Sequence, residues 1–380
     1  MTRYILPEIR YILANRYVQW GTLAEAMSLS LVSGVPLALT GPGGRGKSYM
    51  TDDILKAIDP NAYIKGLGTG TTEADLLGGV VAVTQRVDDK EITKADYDLS
   101  KSFIKSSVVK LEEAFDAPAR VLTLLKDWLS SGCYRDGDLQ VPLSTEVLVL
   151  CSNRNTSDLA ELGPDVEALL QRFLLVKIDW DDYSKDSYLE LFKTSQANKP
   201  LVDRTISLDH IRALRAKANK ITVSSQVTEM LSTLMSDLAE KGIVLSARLA
   251  VRALHLIKSA AVIDGADEAT LDHVSAIRYI DTSLDLCDSV REYVHKEQVK
   301  SRIITELNEI EEVYKQARNF FSKIDSKTLA EKVDMYKRVK DQGLDKLTRV
   351  SVTDEYYQSK EDLYKRLSNC LTKLSESALS

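Results

Sequence analysis

Gly41-Pro42-Gly43-Gly44-Arg45-Gly46-Lys47-Ser48 decides the fold of this chain. The stretch matches G-x-x-x-x-G-K-[ST] in full, and its setting fits the match. An apolar run at 35–40 reads as the strand that feeds the loop. Pro36 suits the first residue of a strand, where its missing N–H is tolerated. Tyr49-Met50-Thr51-Asp52-Asp53-Ile54-Leu55 continues as a helix. Glycines let backbone N–H groups converge on phosphate oxygens with no Cβ in the way. The start of the helix adds the positive end of its dipole. In such a loop Gly41, Pro42, Gly43, Gly44, Arg45, Gly46, Lys47 and Ser48 form the cradle. Lys47 reaches the β and γ phosphates, and the Ser48 hydroxyl ligates the metal. The ligands implied are ATP and Mg2+.

Outward from the loop, four more short apolar runs read as buried strands, at 62–65, 108–111, 147–151 and 174–178. Helical patterns separate most of them. Runs that are apolar on both faces suit a parallel sheet covered by helices on both sides. Residues 79–99 hold a Val-rich run, then Asp88-Asp89-Lys90 and Glu91-Ile92-Thr93, which reads as a hairpin or loop insertion. After residue 184 the strand signal disappears and helical periodicity takes over. Leu249, Leu254, Leu256, Ile257 and Ala261 mark one such helix, with Gly265 as its stop. Beyond residue 290, Val299, Ile303, Leu307, Ile310, Tyr314 and Ala317 recur every three or four positions. They predict a long amphipathic helix. Two further helices are expected near 328–340 and 354–375. The expected division is an α/β nucleotide-binding subdomain at 1–183, an all-α lid at 184–289 and a helical bundle at 290–380.

Phosphoryl transfer needs a carboxylate near Mg2+ and another to orient water. Val108-Val109-Lys110-Leu111-Glu112-Glu113, an apolar strand ending in acids, is the place for them. Glu112 is then the Mg2+-shell carboxylate and Glu113 the group that polarises the attacking water. The strand at 147–151 leads through Ser152 to Asn153. An amide at such a strand end contacts the γ-phosphate or the water, although Asn after a strand is also an ordinary turn residue.

The chain has 380 residues, enough for two or three domains at roughly 150 residues each. Fifty Lys and Arg stand against 56 Asp and Glu, a net charge of −6, so there is no overall electrostatic case for nucleic-acid binding. Nucleic acid is not expected, though a local basic patch stays compatible with these numbers. No apolar run approaches the ~18–20 residues of a membrane span. The first 16 residues hold no uninterrupted apolar stretch of the secretory kind, so a cytoplasmic location is expected. Cys133, Cys151, Cys287 and Cys370 are scattered, and His210, His255, His273 and His295 show no ligand spacing with them. Isolated thiols, not a zinc site, are the reading.

The motifs together resemble the AAA+ ATPases of the MoxR family, with the RavA type as the nearest form. Gly68-Thr69-Gly70-Thr71-Thr72-Glu73-Ala74-Asp75-Leu76-Leu77-Gly78 follows the second strand, as a Thr/Ser-rich segment does in that family. Glu112-Glu113 is followed by Ala117-Pro118 and by Leu124-Leu125. Cys151-Ser152-Asn153, Leu169-Leu170-Gln171-Arg172 and Ser246-Ala247-Arg248 complete the series. The resemblance covers residues 10–285.

This resemblance implies a P-loop AAA+ core, with a five-stranded parallel sheet flanked by helices, then an all-α lid and a C-terminal helical bundle. It matches Asn153 to sensor 1, Arg172 to the arginine finger that reaches a neighbour's γ-phosphate, and Arg248 to sensor 2. Tyr17 and Val18 stand where the family's chain passes the adenine. It further implies a homo-oligomer, a hexameric ring, that remodels or activates a protein partner carrying a von Willebrand factor A (vWA) domain. Two features depart from the pattern. Glu112 stands where the family has Asp, which moves the carboxylate by about one bond length, ~1.5 Å, and points to slow hydrolysis. The region after residue 290 reads as helix throughout, without the small β-rich insert of RavA-type chains. Residues 68–78 also lack the aromatic-hydrophobic dipeptide of a threading loop. A DNA-processing motor and a slow nucleotide-gated scaffold are the alternative readings.

Overall fold

The computed structural model describes residues 3–379 apart from 15, 88–89, 137–138, 156–157, 160, 180–182, 197–204, 281–283 and 353. The chain forms two compact units, Met1–Arg291 and Glu292–Ser380.

In the first unit five strands make one parallel sheet. They are β1 (Leu37–Thr40), β2 (Tyr63–Gly66), β5 (Val108–Glu112), β8 (Val147–Cys151) and β9 (Leu174–Lys177), in the spatial order β2-β5-β8-β1-β9. All five fall within two residues of the apolar runs in the sequence, but β2 is not the buried strand expected at 62–65: it is an edge strand of the sheet, with Tyr63 and Lys65 half-buried and Ile64 and Gly66 exposed. Every residue of β1 and β8 is buried, as expected of strands with both faces covered. Because the strands are parallel, their C-terminal ends share one rim. The phosphate loop, Glu113 and Asn153 leave β1, β5 and β8 on that rim. Ligands of open α/β sheets bind at this end of the strands.

One layer of the core packs Phe103, Trp128 and Tyr134 between the sheet and the helix Ala119–Ser131. The Phe103 and Trp128 rings stack at 5.9 Å, and Tyr134 meets Trp128 edge-on at 5.7 Å. On the other side lies the helix Gly21–Ser33, buried along almost its whole length. Its one buried carboxylate, Glu25, accepts from the main-chain N–H groups of Arg3 and Tyr4 and from the Arg278 and Tyr279 side chains. That single acid ties the start of the chain to the segment Leu271–Tyr279.

Strands β3 (Val80–Val87) and β4 (Lys90–Tyr97) pair antiparallel, the hairpin expected near 79–99. Asp88 and Asp89 of its turn lie outside the described residues. A second hairpin, β6 (Cys133–Asp136) with β7 (Leu139–Pro142), was not expected. After residue 184 come the helices Lys185–Gln196, Leu208–Lys220, Ser225–Glu240 and Ala247–Ile263. The region is not purely helical: Thr222–Val223 and Glu268–Ala269 pair as a two-residue parallel ladder.

The second unit is helical among its described residues. It comprises the part of the helix Leu284–Phe321 from Glu292 onward, the helices Leu329–Arg338, Asp345–Arg349 and Asp354–Leu379, a π-helical stretch, Val339–Leu344, and a short 3-10 turn. Its core gathers Ile310, Ala317, Val339, Leu347 and Leu367. Gly343 sits where an added Cβ would come within 3.1 Å of Leu367, so the π-helical stretch approaches its neighbour closely. Among the described residues, no helix is long and apolar enough to cross a membrane.

Candidate nucleotide site

The loop between β1 and the helix α3 (Lys47–Ile58) needs its glycines. Gly41 has φ +115, and a Cβ there would lie 2.3 Å from the Ile178 carbonyl oxygen, so no other residue fits. Gly44 and Gly46 also have positive φ, and Gly46 leads into α3 from the left-handed region. The result is a bare backbone turn at a helix N-terminus, the form that receives phosphate.

Lys47 is 5 % exposed and folds over this turn. Its Nζ donates to the carbonyls of Gly41 at 2.7 Å and Pro42 at 2.8 Å, and to Asn153 Oδ1 at 3.2 Å. Burial pulls its basicity down, against the nearby carboxylates Glu113 and Glu112. The same burial pushes the Cys151 thiol up to about 12, so it stays neutral.

The sheet order β5-β8-β1 sets Glu113, Asn153 and Lys47 side by side. Asn153 links them: its Nδ2 and its main-chain N–H both donate to the Glu113 carboxylate, while its Oδ1 accepts from Lys47. Glu113 itself has φ +48, unusual for a side-chain-bearing residue. The loop after β8 is held by Arg154, which pairs with Asp116 at 2.7 Å in the turn that follows Glu113. Ser48 Oγ donates to Glu112 Oε2 at 3.0 Å. This hydroxyl–carboxylate pair beside the turn is an oxygen donor set of the kind Mg2+ takes. The residues present therefore fit a triphosphate and its metal.

In the sequence Lys110 reads only as part of an apolar strand. It is fully buried beside Glu112, ion-paired with it and with Asp52 of α3. Burial works against its charge, but the carboxylates Asp52 and Glu112 outweigh it and the net shift is upward.

The remaining candidates lie elsewhere. The Arg45 side chain turns from the loop to the Asp179 carbonyl and stacks on Tyr183 at 4.3 Å. Tyr17 donates to Asp53 of α3 at 2.7 Å, and burial followed by Asp53 raises its pKa. Val18 is buried.

Arg172 is not beside the phosphate loop. It lies in the turn just before β9, at the opposite end of that strand from Ile178, whose carbonyl lies against Gly41. The four residues of β9 alone span about 13 Å at about 3.3 Å per residue. Arg172 donates to Ser130 Oγ and to the Ala168 carbonyl. Burial and then the Arg248 charge lower its pKa. Arg252 donates to the Gln171 carbonyl at 2.6 Å. Burial, then Arg248 and Arg172, pull Arg252 down to about 10. Arg172, Arg248 and Arg252 thus form one cluster at the N-terminal end of β9. Arg252 was visible in the sequence as the Arg one helical turn after Arg248. Its contact with the residues before β9 was not.

A comparison of solved structures finds a similar fold in a candidate ATPase from Cytophaga hutchinsonii. It is 20 % identical, with a TM-score of 0.55, and the match covers 70 % of this chain and 82 % of that one. No curated protein matches the chain in sequence. A family model, the MoxR domain of the MoxR-vWA-beta-propeller ternary systems, matches residues 5–241. With the phosphate loop, the acid pair and the strand order in place, the chain belongs to this family of MoxR AAA+ domains.

Proposed function

We propose that this chain is an ATPase that acts at the subunit interfaces of a homo-oligomeric ring, a hexamer, to remodel or activate a vWA-domain protein. The observation that carries the chemistry is the hydrogen-bonded line Lys47–Asn153–Glu113 beside the Ser48–Glu112 pair. In this reading the loop backbone and Lys47 hold the triphosphate. Ser48 and Glu112 would hold Mg2+, which supplies charge neutralisation for the phosphoryl group when bound. Glu113 accepts the proton of the attacking water, and Asn153 keeps its carboxylate aimed. Tyr17 and Val18 would border the adenine.

The sequence 184–289 is the lid of this reading, and the helical region from 290 an arm for partners. Arg172 sits too far from its own loop to serve it, so it would serve a neighbour's. Arg248, in the same cluster, would do likewise. The family's association with vWA proteins supports that partner class. The protein would be cytoplasmic. Its Glu112, held by Lys110, favours slow turnover.

The test is a pull-down with Glu113→Gln protein loaded with ATP, read by mass spectrometry. A vWA-domain protein recovered only with ATP is expected. ATP-independent recovery of nucleic acid, with DNA-stimulated turnover of the unmodified protein, would overturn the assignment.

A further inference from the structure

The ATPase reading uses Lys110 only as the partner of Glu112, yet three groups of the site hold its ammonium. It is fully buried in the middle of β5. Its ammonium pairs with Glu112 Oε1, sits 2.6 Å from Asp52 Oδ1 and donates to the Ser48 carbonyl at 2.9 Å. Three donors meet three acceptors, so its hydrogen-bonding capacity is used in full.

Each partner belongs to the place where metal and phosphate would sit. Side chains two apart on a strand share a face, so Lys110 and Glu112 both point at α3. One Glu112 oxygen takes Lys110 and the other takes the Ser48 hydroxyl. Asp52 lies one turn after Ser48 on the same helix. The nearby fixed charges are three cations, Lys47, Lys56 and Lys110, against three carboxylates, Asp52, Glu112 and Glu113. Only Lys110 is paired with Glu112, so without it that carboxylate would face an incoming triphosphate with no fixed cation on it. With Lys110 present, a metal at Ser48 and Glu112 shares its carboxylate with an ammonium already bound, and the two cations repel at short range.

We propose that Lys110 is a resident cation of the metal subsite, a positioning residue that holds Glu112 and Asp52 and makes nucleotide binding only weakly dependent on Mg2+. The proposal rests on the ATPase reading above.

The test is titration calorimetry of ADP into the full-length protein, with excess chelator and with Mg2+ in excess. For the unmodified protein the two affinities should differ by less than about tenfold. Lys110→Met should lose about tenfold or more in chelator and little with Mg2+, so its ratio widens. A lysine with only a structural role would lower the melting temperature and leave the ratio unchanged, and that result would overturn the proposal. Should Lys110→Met fail to fold, Lys110→Gln, which keeps a hydrogen-bond donor in the buried site without the charge, takes its place, and the same ratio is read. Absence of ADP binding by the unmodified protein in both conditions would defeat the phosphate-loop reading as well. An unchanged ratio with binding retained defeats this proposal alone.

Discussion

Asn153 grips Glu113 at both carboxylate oxygens, one through its side-chain amide and the other through its main-chain N–H. Glu113 stands at φ +48, a conformation that costs a non-glycine residue about 1–3 kcal/mol. The grip holds a strained residue in one orientation, with its charge beside the phosphate loop. Two strands that are neighbours in the sheet, β5 and β8, supply the two halves.

Replacing that charge without changing its shape tests its role. Glu113→Gln should keep ATP bound while turnover falls by about 10² to 10⁴, the range for loss of a general base. Single-turnover kinetics beside equilibrium ATP binding separates the two effects. Full activity in both Glu112→Gln and Glu113→Gln would show that β5 does not carry the acids.

Lys47→Ala should weaken nucleotide binding by at least about tenfold, since a charged hydrogen bond is worth about 1.5–3 kcal/mol. Calorimetry reads this directly, and an unchanged affinity would refute the loop assignment.

The arginine cluster makes a prediction about assembly. Arg172→Ala should leave ATP binding nearly intact and lower turnover by about 10³ to 10⁵, the worth of an arginine finger. Arg248→Ala should also spare binding, since it sits with Arg172. Mixing Arg172→Ala with Lys47→Ala subunits should restore part of the activity. A specific activity that does not change on wide dilution would contradict shared sites.

Gly41→Ala should disable the loop. The backbone conformation alone costs about 1–3 kcal/mol, and the new Cβ would press on the Ile178 carbonyl. Gly70→Ala, where a Cβ meets nothing within 4 Å, is the control and should shift the melting temperature little. Equal melting curves for the two variants would show that the contact is not rigid.

Asp75 caps the short helix Glu73–Leu76 in a reciprocal box with Thr72. The Thr72 N–H and hydroxyl, then Lys65, hold its carboxyl down at about 2 from 3.8. A depressed acid stabilises the fold above its unfolded value, and that stabilisation is lost as pH falls through the folded one. Order in residues 72–77 should therefore fade between about pH 4 and pH 2. In Asp75→Asn it should be weaker and independent of pH in that window. NMR titration of this segment decides it.

Much of this was legible in the sequence because local patterns carried it. Four buried strands and the exposed edge strand β2 announced themselves as apolar runs, and the phosphate loop, Glu112, Glu113 and Asn153 as residues at strand ends. The hairpin Cys133–Asp136 with Leu139–Pro142 was missed, although Asp136-Gly137 is a strong turn signal. Its strands are short, and β6 runs on directly from a helix that ends at Ser131. Lys110 was hidden for a different reason. A lysine in an apolar run looks like an interruption until α3 is seen to place Asp52 and Ser48 against it. The meeting of Arg172 with Arg248 and Arg252 depends on how a distant helix packs under β9, which no local pattern encodes.

Strand β9 carries a mechanical consequence. At one end its chain continues to Ile178, whose carbonyl lies against Gly41, and to Asp179, which receives Arg45. At the other end stand Arg172 and the carbonyls that hold Arg252. A four-residue strand hydrogen-bonded along its length to β1 neither stretches nor bends appreciably. It therefore sets a fixed spacing between the contacts that brace the phosphate loop and the arginines at its other end.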